Sequence, residues 1–138
     1  MILQFKIKTD DGKPTGFVRK ILTGQKIHTL REDVTGRWKP GAKIQFATGV
    51  RTPKYEQFLE GICTGIQKVF LRTDNVNVFI YVDGRLLTGA DVVRFYRNDG
   101  FKTFDEFSSW FMPICQSAQA TGKKGVALRL IHWTDFKY

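Results

Sequence analysis

Residues 76–87 read Val-Asn-Val-Phe-Ile-Tyr-Val-Asp-Gly-Arg-Leu-Leu, and the Asp83-Gly84 pair in this stretch constrains the fold more than any other feature of the chain. An Asp-Gly pair between β-branched and aromatic residues specifies a two-residue turn with both residues at positive φ, whose twist suits antiparallel strands. Strands are therefore predicted over 76–82 and 85–87. A chain holding this hairpin must build an antiparallel sheet around it, and the remaining elements are placed with respect to that sheet.

Ahead of the hairpin, residues 2–8 alternate, with Leu3, Phe5 and Ile7 on one face, as a half-buried strand does. Asp10-Asp11-Gly12 ends that strand. Thr15 is placed to cap a helix beginning at Gly16, with Phe17, Val18, Ile21 and Leu22 on one side and Gly24 as a left-handed stop. Residues 25–31 are extended, Trp38 to Gly41 makes a turn, and 43–48 is a strand. Residues 49–57 form a polar loop, and 58–71 a long strand interrupted by Gly61 and Gly65.

After the hairpin, Thr88-Gly89-Ala90-Asp91 opens a helix that Asn98-Asp99-Gly100 breaks. Thr103-Phe104-Asp105-Glu106 is a capping box, and Phe104, Phe107, Trp110 and Phe111 form an apolar stripe that Pro113 is expected to end. Residues 116–125 then read as a linker and 126–133 as a final strand. Strands and helices in this order describe an α+β domain. With the first and last strands free to pair, the expected architecture is a small, partly open β-barrel flanked by helices. The 138 residues make one domain, 1–138, with enough chain for a single core.

Charge narrows the partners. Residues 1–54 hold twelve Lys or Arg against four Asp or Glu, whereas residues 55–138 hold ten against nine, so nearly all of the net +9 lies in the first part. A basic field of this kind suits phosphate-bearing partners, although it also serves as a solubilising surface. Cys63 and Cys115 are far apart and offer neither a disulfide framework nor zinc spacing. Both are expected as buried small hydrophobes in a reducing compartment. The opening Met1-Ile2-Leu3-Gln4-Phe5-Lys6 holds no apolar run of signal-peptide or membrane-span length, so a cytoplasmic protein without membrane attachment is expected.

The chain has no phosphate-binding Gly-x-x-x-x-Gly-Lys-Ser/Thr loop, no dinucleotide glycine fingerprint, no paired-histidine zinc motif and no Gly-x-Ser-x-Gly nucleophile turn. No metal and no cofactor is expected. His28 and His132 are far apart in sequence, and each reads as a solvated or core-edge histidine. What stands out is Gly24-Gln25-Lys26-Ile27-His28-Thr29-Leu30-Arg31, followed by Gly36-Arg37-Trp38-Lys39-Pro40-Gly41. A lysine beside a second cation, or partly desolvated, has a lowered pKa and acts as a base, with Thr29 as its activated hydroxyl. The same groups equally describe a phosphate clamp, or an ordinary exposed strand edge. In a regular strand Lys26 and Thr29 point to opposite faces, so a common ligand requires the backbone to turn near Ile27-His28.

These residues carry a family resemblance. Gly24 to Arg31 with Trp38 to Gly41 resembles the signature of the ASCH domain family, which is similar in fold to PUA domains. The likeness extends over nearly the whole chain, through Asn98-Asp99-Gly100-Phe101 and 104–111 to the closing strand. It implies RNA binding, or in one small branch an amidohydrolase that deacetylates N4-acetylcytidine; other members resemble ribonucleases. For that branch the resemblance implies Lys26 and Thr29 as catalytic residues, Arg31 as the arginine that follows them, and Asp99 at a position where the family has glutamate. Aspartate is one methylene shorter, so either the backbone lies closer, or Glu106 or Asp91 substitutes, or the chain is not that hydrolase. Asn-Asp-Gly is also an ordinary turn.

Trp38 between Arg37 and Lys39 reads either as a stacking platform between phosphate contacts or as a buried side chain. Arg51 and Lys54 in the polar loop are further candidate nucleic-acid contacts. The first expectation is thus a domain that binds nucleic acid, RNA or a modified nucleobase, in a basic cleft built from Lys26, Thr29, Arg31, Arg37, Trp38, Lys39, Arg51 and Lys54. The alternative is an amidohydrolase acting on N4-acetylcytidine-like substrates through Lys26, Thr29 and Asp99. A ribonuclease comes third.

Overall fold

The computed structural model describes residues 1–138 as an α+β arrangement of two sheets and three helices. In chain order the elements are β1 (Ile2–Gln4), α1 (Phe17–Leu22), β2 (His28–Arg31), β3 (Lys43–Thr48), β4 (Glu56–Ile62), β5 (Gly65–Thr73), β6 (Val78–Val82), β7 (Arg85–Leu86), α2 (Ala90–Asn98), α3 (Phe104–Ala120) and β8 (Val126–His132). One sheet has the order β1-β3-β4 and the other β2-β8-β5-β6-β7. The hairpin at Asp83-Gly84 forms as the sequence requires, with φ of 48° and 82° at the two turn residues.

Several expectations are corrected. The stretch 58–71 is not one interrupted strand but two strands in different sheets, and the corner is Cys63-Thr64. Cys63 N–H still donates to Ala42 O in the first sheet (2.8 Å), whereas Thr64 N–H already donates to His132 O in the second (2.9 Å). Gly61 pairs with Ile44 in the first sheet, and the Phe46 ring covers it; a Cβ there would lie 2.9 Å from the ring.

The first and last strands do not pair, and no closed barrel forms. β1 runs parallel to β3, while β8 lies between β2 and β5, antiparallel to both. Leu130, Ile131 and His132 of β8 are successively buried, so both faces of that strand are covered. Such a strand belongs inside a sheet rather than at a seam.

At the first strand, ladder pairing stops at Gln4 and Ile7 is 58% exposed. Gly16, in the left-handed region, occupies the cap position of α1, while the Thr15 hydroxyl accepts from Phe17 N–H at 3.3 Å. α3 runs through Pro113 and takes in much of the expected linker. Pro113 and Ser109, whose carbonyl loses its helical donor, are both exposed, so the freed group is not stranded in the core. The apolar stripe continues past the proline through Cys115 and Ala118 to Phe107 and Phe111 on the same face. That face covers β5, β6 and β8. At the helix start Glu106 N–H donates to the Thr103 hydroxyl (3.2 Å), and the Glu106 carboxylate accepts from Lys102 N–H (3.0 Å).

Aromatic rings fill much of the core. Phe95, Phe101, Phe107 and Phe111 form a continuous chain of contacts with centroids 4.8 to 6.0 Å apart. A second group joins Phe5 and Phe46 of the small sheet to Trp133 beyond β8, with the Phe46 and Trp133 centroids 5.0 Å apart. Cys63 and Cys115 are buried and unpaired. No helix is long and apolar enough to cross a membrane.

Candidate active site

Four buried polar side chains, Lys26, His28, Thr29 and Asp99, gather where the segment between α1 and β2 meets the C-terminus of α2. Gln25 N–H and Lys26 N–H both donate to Lys20 O, at 2.8 and 2.9 Å, which wraps the chain tightly under α1. The Asn98-Asp99-Gly100 turn then holds this segment at two points and α1 at a third. Asn98 O accepts from Ile27 N–H (2.9 Å), Asp99 O accepts from Lys26 Nζ, and Gly100 O accepts from Lys20 Nζ (2.7 Å). Gly100, at φ 97°, packs so closely that a Cβ would lie 3.0 Å from both Lys26 Cδ and the Phe17 ring.

Because β2 begins only at His28, Lys26 lies outside the alternation of the strand. Lys26, Thr29, Arg31 and Asp99 line one cavity of about 30 Å³, walled by Phe5, Phe17, Phe101, Trp110 and Phe111. That space suits about one water molecule. Lys26 is 2% exposed and Thr29 3%, so neither belongs to an exposed strand edge.

Asp99 takes two contacts on one oxygen, Lys26 Nζ at 3.4 Å and His28 Nδ1 at 3.1 Å. The carboxylate acceptor places the His28 proton on Nδ1, and Nε2 then accepts from the Tyr138 hydroxyl at 2.6 Å. Asn98 Nδ2 donates to the same hydroxyl at 3.1 Å. The aspartate is therefore oriented from behind by a chain running from buried His28 to half-buried Tyr138 and Asn98. Glu106 is occupied at the start of α3, and Asp91 pairs with Arg85 and Arg94 on the surface. Neither lines the cavity, and Asp99 is its only carboxylate.

Burial sets the electrostatics. Desolvation pulls the Lys26 ammonium from 10.5 down to about 8, against the opposing pull of Asp99 and with the help of the Arg31 charge. His28 is held below its ordinary 6.5, again by burial first, so it is neutral at pH 7. Arg31 is lowered to about 10 by desolvation. Its Nη1 donates to the Thr29 hydroxyl at 2.8 Å, its Nη2 donates to Gln4 O, and its guanidinium lies 5.2 Å from the Phe5 ring centroid. The Thr29 oxygen thus accepts a charged hydrogen bond, while its own proton has no protein acceptor.

The remaining candidates lie elsewhere. Trp38 is 6% exposed and belongs to the core, which overturns its reading as a stacking platform. Asp33 accepts from Arg37 N–H and Trp38 N–H, both at 2.9 Å, and this turn folds the indole inward. Arg37 and Arg51 line a separate groove of about 590 Å³ with Gln4 and Tyr55. Lys39 and Lys54 are exposed and line neither space.

Sequence reasoning missed His28, Asn98 and Tyr138. His28 adjoins the motif, but only the packing of α2 on β2 reveals its partner. Nothing local points to Tyr138, 110 positions away. No group of three or more His, Cys, Asp and Glu side chains is placed to hold a metal ion. Comparison with family models, curated proteins and solved structures finds no match.

Proposed function

We propose that this chain is an ASCH-type domain, PUA-like in fold, with amidohydrolase chemistry towards N4-acetylcytidine or a similar small acylated amine. The observation that carries the reading is the convergence of a desolvated lysine, a hydroxyl with a free proton, a guanidinium and a carboxylate on one ring-walled cavity. With Lys26 held near pH 8, a substantial fraction of its amine is neutral at physiological pH and able to accept a proton.

In this reading Lys26 takes the proton of Thr29, and Thr29 Oγ attacks the acyl carbonyl carbon. The Arg31 guanidinium beside Thr29 stabilises the oxyanion that develops. The Lys26 ammonium then returns its proton to the departing amine nitrogen. Water, deprotonated by the Lys26 amine, attacks the threonyl ester; the acid departs and the Lys26 ammonium returns the proton to Thr29 Oγ. Asp99 orients Lys26 and balances its charge when protonated. The cavity has room for about one water and not for a base, so entry of the substrate requires its lining side chains to move apart.

Incubation with N4-acetylcytidine, followed by chromatography of cytidine, tests the proposal. Thr29→Val and Lys26→Met are each expected to lower kcat by about a hundredfold or more. Turnover surviving both substitutions removes the site. A second reading, nucleic-acid binding without chemistry, draws on the two unpaired guanidinium groups of the larger groove. It predicts salt-dependent RNA affinity with no release of cytidine.

A further inference from the structure

The groove of about 590 Å³ shares no lining residue with the small cavity, yet one hydrogen bond links the two. Arg31 lines the small cavity and donates through Nη2 to the backbone oxygen of Gln4, a groove residue. The groove adds Arg37 and Arg51, the Tyr55 phenol, and an apolar wall from Ile2 and Val50. Its volume falls in the range of small-molecule sites, roughly 300 to 1,000 Å³.

Neither groove arginine has a carboxylate partner. Asp33, whose charge responds to Arg37, spends its two oxygens on the backbone N–H groups of Arg37 and Trp38. The six ion pairs of the structure include neither Arg37 nor Arg51.

Arg51 is also held in a costly conformation, at φ 63° in the left-handed region. Its loop is tightly determined. The Thr52 hydroxyl donates to Gly49 O (2.6 Å) and accepts from Lys54 N–H (3.1 Å), and Tyr55 N–H donates to Thr52 O (3.2 Å). Gly49 leaves no room for a side chain, since a Cβ there would lie 2.6 Å from Lys54 O. Strain of this kind persists where surrounding bonds over-determine it, and it clusters at ligand clamps. Two unpaired guanidinium groups, one of them on a rigid strained loop, suit the bidentate geometry of phosphate.

We infer that the Arg37–Arg51 groove is a phosphate subsite, and that the preferred substrate is a nucleotide or RNA phosphodiester rather than a free nucleoside. The substrate's phosphate lies between the two arginines while its base reaches towards Arg31 and the small cavity. This rests on the proposed function for the identity of the base, but the phosphate contact stands or falls by binding alone.

The test measures binding of cytidine, cytidine 5′-monophosphate and a cytidylate hexamer by isothermal titration at low salt. The monophosphate is expected to bind about tenfold or more tightly than cytidine, as one to two charge-assisted contacts provide. Arg37→Ala and Arg51→Ala are each expected to remove most of that advantage, with unchanged melting temperature because both side chains are exposed. An advantage confined to the hexamer identifies a chain phosphodiester as the source. Equal affinity for all three probes, or an advantage that survives both substitutions, overturns the inference. A phosphate advantage without turnover of N4-acetylcytidine removes the proposed function and leaves the subsite. Turnover with equal kcat/KM for N4-acetylcytidine and its 5′-monophosphate, alongside equal affinities, removes the subsite and leaves the function.

Discussion

Replacing Lys26 by methionine gives a stability signature whose sign and size follow from the buried amine. Lys26 is 2% exposed, and its folded-state pKa is depressed from 10.5 to about 8. Between those values the unfolded chain binds more protons than the folded one, so stability rises as pH increases through the window. A separation of about two and a half units amounts to about 3 kcal/mol in full, of which about 2 kcal/mol appears between pH 7 and pH 9.5. Tyr138 acts in the opposite direction, but later. Burial raises its phenol above the ordinary 10.0, so it costs stability only as pH passes about 10.

Urea unfolding of the wild type and Lys26→Met at half-unit steps from pH 7 to 9.5 isolates the effect. The expected difference, wild type minus variant, climbs by about 2 kcal/mol across the range. Any cost of stranding the Asp99 carboxylate beside His28 enters every point in that range and leaves the slope untouched. A flat difference would show that the amine is solvated and titrates as a free lysine. That result would refute both the desolvation argument and the role of Lys26 as a base.

Tyr138→Phe removes the donor to His28 Nε2 and the acceptor for Asn98 Nδ2, and is expected to cost about 1 to 2 kcal/mol in urea unfolding. If Asp99 is held through His28, kcat for deacetylation falls in this variant while KM changes little. Pro113→Ala supplies the missing N–H to Ser109 O on the exposed side of α3 and is expected to raise stability by about 1 to 3 kcal/mol, read as a higher melting temperature. Gly125→Ala drives a methyl group to 2.3 Å from Leu71 O and 2.7 Å from the Phe70 ring, and is expected to lower stability by about 2 kcal/mol or more.

Elements specified by neighbouring residues were legible in the chain. The Asp83-Gly84 turn needs only two residues able to adopt positive φ, and the Lys43–Thr48 strand only its own alternation. Pro113 does not end α3, because the carbonyl it leaves without a donor belongs to exposed Ser109. The stripe carried on by Cys115 and Ala118 was the available signal. Trp38 was ambiguous because an aromatic between two cations is compatible with either face of a loop. Asp33, five residues earlier, settles the direction through two backbone bonds.

Local sequence thus accounts for the hairpin, the helix starts, the α+β class and the places of Lys26, Thr29, Arg31 and Asp99 along the chain. It does not account for their meeting. Lys26 and Asp99 are 73 positions apart, and they are joined because the end of α2 packs on the turn before β2. The burial that lowers the Lys26 pKa comes from rings carried by separate elements, Phe5, Phe17 and Phe101 among them. The division of strands between two sheets depends likewise on pairings made across the chain at Cys63-Thr64. Capping, turn and alternation preferences act over a few residues, whereas desolvation and sheet partnership depend on which distant surfaces exclude water from one another.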